Sequence, residues 1–105
     1  MKKIVFVCLG NICRSPMAEF VMKSLTDQLK IESRATSSWE HGNPIHRGTQ
    51  AIFKKYAIAY DRNKTSQQIS AADFADFDYV IGMDESNVRD LKRMAPEDFQ
   101  HKIYQ

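Results

Sequence analysis

A chain of 105 residues, 43% hydrophobic and 27% charged, can bury the modest core of one globular domain, which excludes a disordered or fibrous protein. Its 15 basic and 13 acidic residues are interleaved, so the net charge of +2 leaves no block that marks a nucleic-acid surface, and no nucleic-acid partner is expected. No apolar run approaches the about 18 residues of a membrane span, and Ile4 to Leu9 is too short for a leader core, so a cytoplasmic protein without a membrane partner is expected.

KKIVFVC, ending at Cys8, is a continuous β-branched and aromatic run and predicts a short, buried parallel strand. Met17, Phe20, Val21, Leu25 and Leu29 then recur at three- and four-residue spacing, one face of a helix. Ser15 suits its N-cap and Pro16 its first helical position. IESRATSS, Ile31 to Ser38, predicts a second strand, and Trp39 to Gly48, with two glycines, Pro44 and two histidines, a long loop. A short helix follows over Thr49 to Tyr56. Ser70 and Asp73 have the spacing of a capping pair for a brief turn through Phe74. FDYVIGM, Phe77 to Met83, predicts the third strand, and Asp84 to Met94 a helix with Val88 and Leu91 inward. A last turn begins near Pro96, and Lys102 to Gln105 reads as the start of a fourth strand that does not continue. The alternation of strand and helix predicts an α/β domain with a parallel, doubly wound sheet.

The octet CLGNICRS, Cys8 to Ser15, lies between the first strand and the first helix. Ligands of open parallel sheets bind beyond the carboxyl ends of the strands, where the next helix presents unpaired amides and the positive end of its dipole. Gly10 permits a tight turn and Asn11 tolerates a left-handed backbone, so successive amides can face one anion. Arg14 adds a two-pronged phosphate contact, and its place in a helix first turn is electrostatically unfavourable unless an anion is bound there. The same positive field favours the thiolate of Cys8, and a thiolate in a phosphate cradle points to nucleophilic phosphoryl transfer.

Cys8, five residues, then Arg14 and Ser15 form a Cys-x5-Arg-Ser signature. CLGNICRSPMAE resembles the low-molecular-weight protein tyrosine phosphatases, as do Trp39 in SSWEHGNP and the run FDYVIGMDESNVRDL. This resemblance covers essentially the whole sequence and implies the flavodoxin-like phosphatase fold. It further implies that Cys8 attacks phosphorus, that Arg14 and the loop from Leu9 through Gly10, Asn11, Ile12 and Cys13 bind the phosphoryl oxygens, and that Ser15 hydrogen-bonds the Cys8 sulfur. Asn11 is then the residue that holds the loop in shape, Trp39 the wall for an aromatic ring, and Asp84 and Asn87 polar support beneath the loop. Cys13 is the redox partner, able to close a reversible disulfide with Cys8. The implied substrates are a phosphotyrosine protein or a small aryl phosphate, with inorganic phosphate as product and inhibitor and no metal or organic cofactor.

The sequence also departs from that family. The family's general acid is an aspartate in an Asp-Pro loop, whereas the three prolines here follow Ser15, Asn43 and Ala95. The expectation is therefore a single phosphatase-like domain over residues 1–105, incomplete at its C-terminus, lacking the last strand and final helix. Turnover is expected to be impaired, and the uncovered sheet edge to invite self-association. Lys64 and Gln67, in KTSQQIS, stand where the family often has His and Arg. A rival reading is a non-catalytic phosphate- or phosphotyrosine-binding module; arsenate-reductase-like redox chemistry needs cysteines beyond Cys8 and Cys13. The C-x4-C and H-x4-H spacings of Cys8, Cys13, His41 and His46 imitate zinc ligands but stand too far apart for a compact finger. A Walker-type loop is excluded because no Gly-Lys-Ser/Thr follows the strand.

Overall fold

The first strand, β1 (Lys2–Cys8), enters the molecule at an exposed lysine and is buried over its last four residues. It leads into α1 (Arg14–Leu25), β2 (Leu29–Ala35), α2 (Arg47–Lys55), α3 (Ala71–Asp76), β3 (Tyr79–Gly82), α4 (Glu85–Met94), a 3₁₀ turn (Glu97–Lys102) and β4 (Ile103–Tyr104). These elements come from a computed structural model that describes all residues, 1–105. No helix is long and apolar enough to cross a membrane.

All strands pair in parallel, in the order β2-β1-β3-β4. The register sets Ile4 beside both Ile31 and Tyr79, and Val80 beside Ile103. Because the chain leaves β1 toward one edge and later returns to its other side, the order reverses at β1. The crevice of a doubly wound sheet lies at such a switch point, and the octet starts there.

Two apolar clusters hold the layers. The larger joins Val5, Val7, Val80 and Ile103 of the strands to Phe74, Phe77, Leu91 and neighbouring apolar residues. The smaller packs Phe20, Ile45 and Phe53 with Met17, Ile58 and Tyr60, its aromatic rings meeting edge to face.

The structure corrects four expectations. The first helix starts at Arg14 with Cys13 at its N-cap and no side-chain cap, so Ser15 and Pro16 lie inside the first turn; the Ser15 hydroxyl is engaged elsewhere. Leu29 is not on that helix. Thr26 turns extended, its Oγ1 accepts from the Gln28 amide, and Leu29 opens β2, while Leu25 is left exposed. The second strand runs Leu29–Ala35 rather than to Ser38 because its partner β1 ends at Cys8, the residue that pairs with Ala35. The last strand is also present: Ile103–Tyr104 pairs with β3, and burial of Ile103 in the main core anchors it. Ser70 and Asp73 form the capping box that their spacing predicts.

Candidate active site

Cys8 ends β1 almost fully buried, and the chain crosses from it to α1 in five residues. Four carbonyls along this stretch are taken up by other segments. Cys8 and Leu9 accept from the amides of Thr36 and Ser37, Gly10 from the Ser66 hydroxyl at 2.7 Å, and Ile12 from the His46 amide at 2.7 Å. With the carbonyls held outward, the amide of Asn11 donates to Cys8 Sγ at 3.2 Å. The amides of Leu9, Gly10, Ile12, Cys13 and Arg14 donate to no protein acceptor. Such a row of free N–H groups at a helix N-terminus is a cradle for an anion.

Asn11 carries the bend. Its φ of 55° is left-handed, and its buried side chain holds it there, donating through Nδ2 to Ser15 Oγ and Ser33 Oγ, each at 2.9 Å, and accepting from the Gln67 amide at 3.1 Å. Gly10, expected to supply the turn, has no positive φ, and a Cβ there would make only ordinary contacts with the side chains of Glu40, at 3.4 Å, and Ile12, at 3.7 Å. The conformational demand falls on Asn11 instead, whose side chain repays it with three hydrogen bonds.

Ser15, fully buried, places its Oγ 3.1 Å from Cys8 Sγ. Half-exposed Arg14 is held by Asp84, Nη1 to Oδ2 at 2.6 Å. That hydrogen bond raises the pKa of Arg14, and Arg14, the Asn87 amide and the Ser86 hydroxyl together hold the Asp84 carboxyl well below the ordinary carboxylate range. Asp84 also caps α4, accepting from the Asn87 amide through Oδ1 at 2.8 Å. Asn87 itself is buried, but its side chain hydrogen-bonds no loop residue and its Oδ1 has no partner, so its expected support reaches the loop only through Asp84.

Cys13 and Cys8 are both free thiols, Cys13 exposed and accepting from Thr49 Oγ1 at 3.3 Å. Trp39 is 79% exposed. With Leu9, Gln68, Asp90, Arg93 and Met94 it lines an open groove of about 370 Å³ beside the loop. Sequence reasoning missed Ser33, Ser66, Thr49 and Glu19. Glu19 was within reach, since it follows Ser15 by four residues on one helix face. What assembles is a buried thiol facing a hydroxyl, ringed by unpaired amides and flanked by a guanidinium that a carboxylate holds in place.

Against known proteins, a family model described as low molecular weight phosphotyrosine protein phosphatase matches residues 3–105. A low molecular weight protein-tyrosine-phosphatase, PtpA, of Staphylococcus aureus is 48% identical over 101 residues, which are 91% of this chain and 64% of the relative. The chain thus spans less than two thirds of the length of the curated relatives it matches. Among solved structures, a low molecular weight protein tyrosine phosphatase from Streptococcus pyogenes superposes with a TM-score of 0.96 at 63% identity, covering 99% of this chain and 71% of that one. A protein tyrosine phosphatase from Entamoeba histolytica superposes at 0.89 with 35% identity, covering 100% and 70%.

Proposed function

The chain belongs to the low-molecular-weight phosphotyrosine protein phosphatase family, and on that premise we propose that it hydrolyses phosphotyrosine or other aryl phosphate monoesters through a phosphocysteine on Cys8. The observation that carries this reading is the set of unpaired amides around the Cys8 thiol. Three phosphoryl oxygens fit such a cradle, which puts phosphorus in line with the sulfur. In the first step the Cys8 thiolate forms an S–P bond as the aryl P–O bond breaks, and the aryl oxygen leaves with the proton that the substrate monoanion brings on its phosphoryl group. In the second, water attacks phosphorus, the S–P bond breaks, and inorganic phosphate leaves the regenerated thiolate. Charge grows on the equatorial oxygens in both steps, where Arg14 swings from Asp84 to meet it with two parallel hydrogen bonds. Ser15 donates to the sulfur as it departs, and Trp39 offers its flat face to the aryl ring.

The test is hydrolysis of p-nitrophenyl phosphate beside Cys8→Ser over roughly pH 5 to 7, because this leaving group scarcely needs an acid and so reads nucleophile and cradle alone. Turnover that disappears in the variant is the expected result. Phosphate binding without turnover above Cys8→Ser, in folded protein, makes the chain an anion-binding module instead.

A further inference from the structure

Beside the cradle lies a surface that hydrolysis of a small aryl phosphate does not use. Of the nine large apolar side chains left exposed on the chain, three border one groove: Leu9 is 41% exposed, Trp39 79% and Met94 37%. They come from the loop, from the segment after β2 and from the end of α4, so only the fold gathers them. Single exposed apolar residues call for no account, whereas several gathered at one place mark a contact surface.

The polar groups of the groove describe its ligand. The Ser37 hydroxyl is engaged by the Leu9 carbonyl at 2.9 Å, and Gln68 Nε2 by the Thr36 carbonyl at 2.9 Å. The two charged side chains, Asp90 and Arg93, pair with each other. The Thr36 hydroxyl has no partner, but it is buried beyond the reach of a ligand. A charged side chain entering here meets a surface that is neutral as a whole. An apolar one covers Leu9, Trp39 and Met94 without stranding a polar group. The groove is also continuous with the cradle, because Leu9 gives its unpaired amide to the one and its side chain to the other.

We infer that this groove is a subsite for the apolar side chain of a residue flanking the phosphotyrosine in a polypeptide substrate, with Met94 as its specificity-determining wall. The inference deepens the phosphatase reading and rests on it for the phosphate that anchors the substrate. With the phosphoryl group in the cradle and the tyrosine ring against Trp39, the neighbouring residues of a polypeptide have to pass the mouth of the loop. Successive side chains of an extended segment point to opposite sides, so one of them turns toward Leu9 and Met94. A free aryl phosphate ends at its ring and gains nothing from the groove.

The test uses short phosphotyrosine peptides, alanine elsewhere, that carry a single leucine one or two positions to either side of the phosphotyrosine, with aspartate and lysine at the same positions for comparison. For the whole chain, kcat/KM for each peptide is divided by its value for p-nitrophenyl phosphate. Leucine at one of these positions should raise the ratio about tenfold over alanine, and aspartate or lysine by less than about twofold. Met94→Ala should remove most of the leucine gain. Met94→Lys should replace it with a preference for aspartate, a gain that a merely damaged protein does not show. Equal ratios for all peptides, or a leucine preference that survives in Met94→Ala, overturn the inference and leave the phosphatase reading standing. A wild-type preference for aspartate or lysine over leucine overturns it as well. Binding of the same peptides to Cys8→Ser, followed by fluorescence polarisation, needs no turnover. A leucine preference in that binding, beside a wild-type chain that hydrolyses none of the peptides, upholds the groove and sinks the phosphatase reading alone; a chain that neither binds nor hydrolyses any phosphopeptide sinks both.

Discussion

Asp84 divides its two oxygens between fold and site, Oδ1 capping α4 and Oδ2 holding Arg14. Asparagine is as good an N-cap, so Asp84→Asn removes the ion pair and keeps the helix start. The carboxyl is depressed in the folded state, which means that its contribution to stability is present above the ordinary value of 3.8 and is lost as pH falls below it. Wild type should therefore melt above Asp84→Asn at neutral pH, with the gap closing as pH drops below that value; thermal unfolding followed by circular dichroism across the range checks it, and a gap independent of pH contradicts the pairing. Residues of this kind differ in how readable they are. Cys8, Arg14 and Ser15 announce themselves because an odd set of side chains sits at one fixed spacing. The Ser15 hydroxyl was still misread as a cap, since the local sequence does not show that a buried thiol and amide compete for it. Glu19 and Lys64 look like ordinary solvated charges, and only the fold brings β2 and the segment before α3 against the inner side of α1.

Between elements, the tightest joint is the passage from β3 to α4. A Cβ added at Gly82 would lie 2.9 Å from Val88 Cγ2 and 3.0 Å from the Val88 amide nitrogen, and backbone cannot yield as a flexible side chain does. That close approach seats the first turn of α4 against the strand and so delivers Asp84 to Arg14. Gly82→Ala should cost about 1–3 kcal/mol through overpacking, readable in urea denaturation. Wild-type stability in this variant means that α4 rides on the sheet more loosely than its packing indicates. Elements with a strong local signature were legible: the capping box of α3, and α4 with Leu91 inward. The exit from α1 was not, because Leu29 continues the helical spacing and only the turn at Thr26 breaks it. β4 was legible only as the start of a strand at Lys102 to Gln105, and its two residues are held by pairing and by burial of Ile103.

Across the whole molecule the loop is suspended between unequal bodies. One end is fixed to β1, inside the larger apolar cluster. Its outer rim hangs on the segment around α2, where His46 holds the Ile12 carbonyl, Thr49 the Cys13 sulfur and Ser66 the Gly10 carbonyl, and where only Phe20, Ile45 and Phe53 are buried together. A region with so small a core opens below the global unfolding free energy, so the amides of 47–55 should exchange faster than those of β1 and β3. An anion in the cradle requires the rim to be in place, so the two equilibria are linked. Inorganic phosphate at about 100 times its Kd should stabilise the closed segment by about 2.7 kcal/mol and slow its exchange about 100-fold. The amides of α3, which hold no loop group, serve as the internal control and should change little. The strand order that puts the loop at the switch point is invisible to local patterns, because it depends on which side of β1 the chain returns to. Hydrogen exchange read by mass spectrometry with and without phosphate decides the linkage: protection gathered in 47–55 places the rim under ligand control, whereas rates there unchanged by bound phosphate mean that α2 opens without disturbing the cradle.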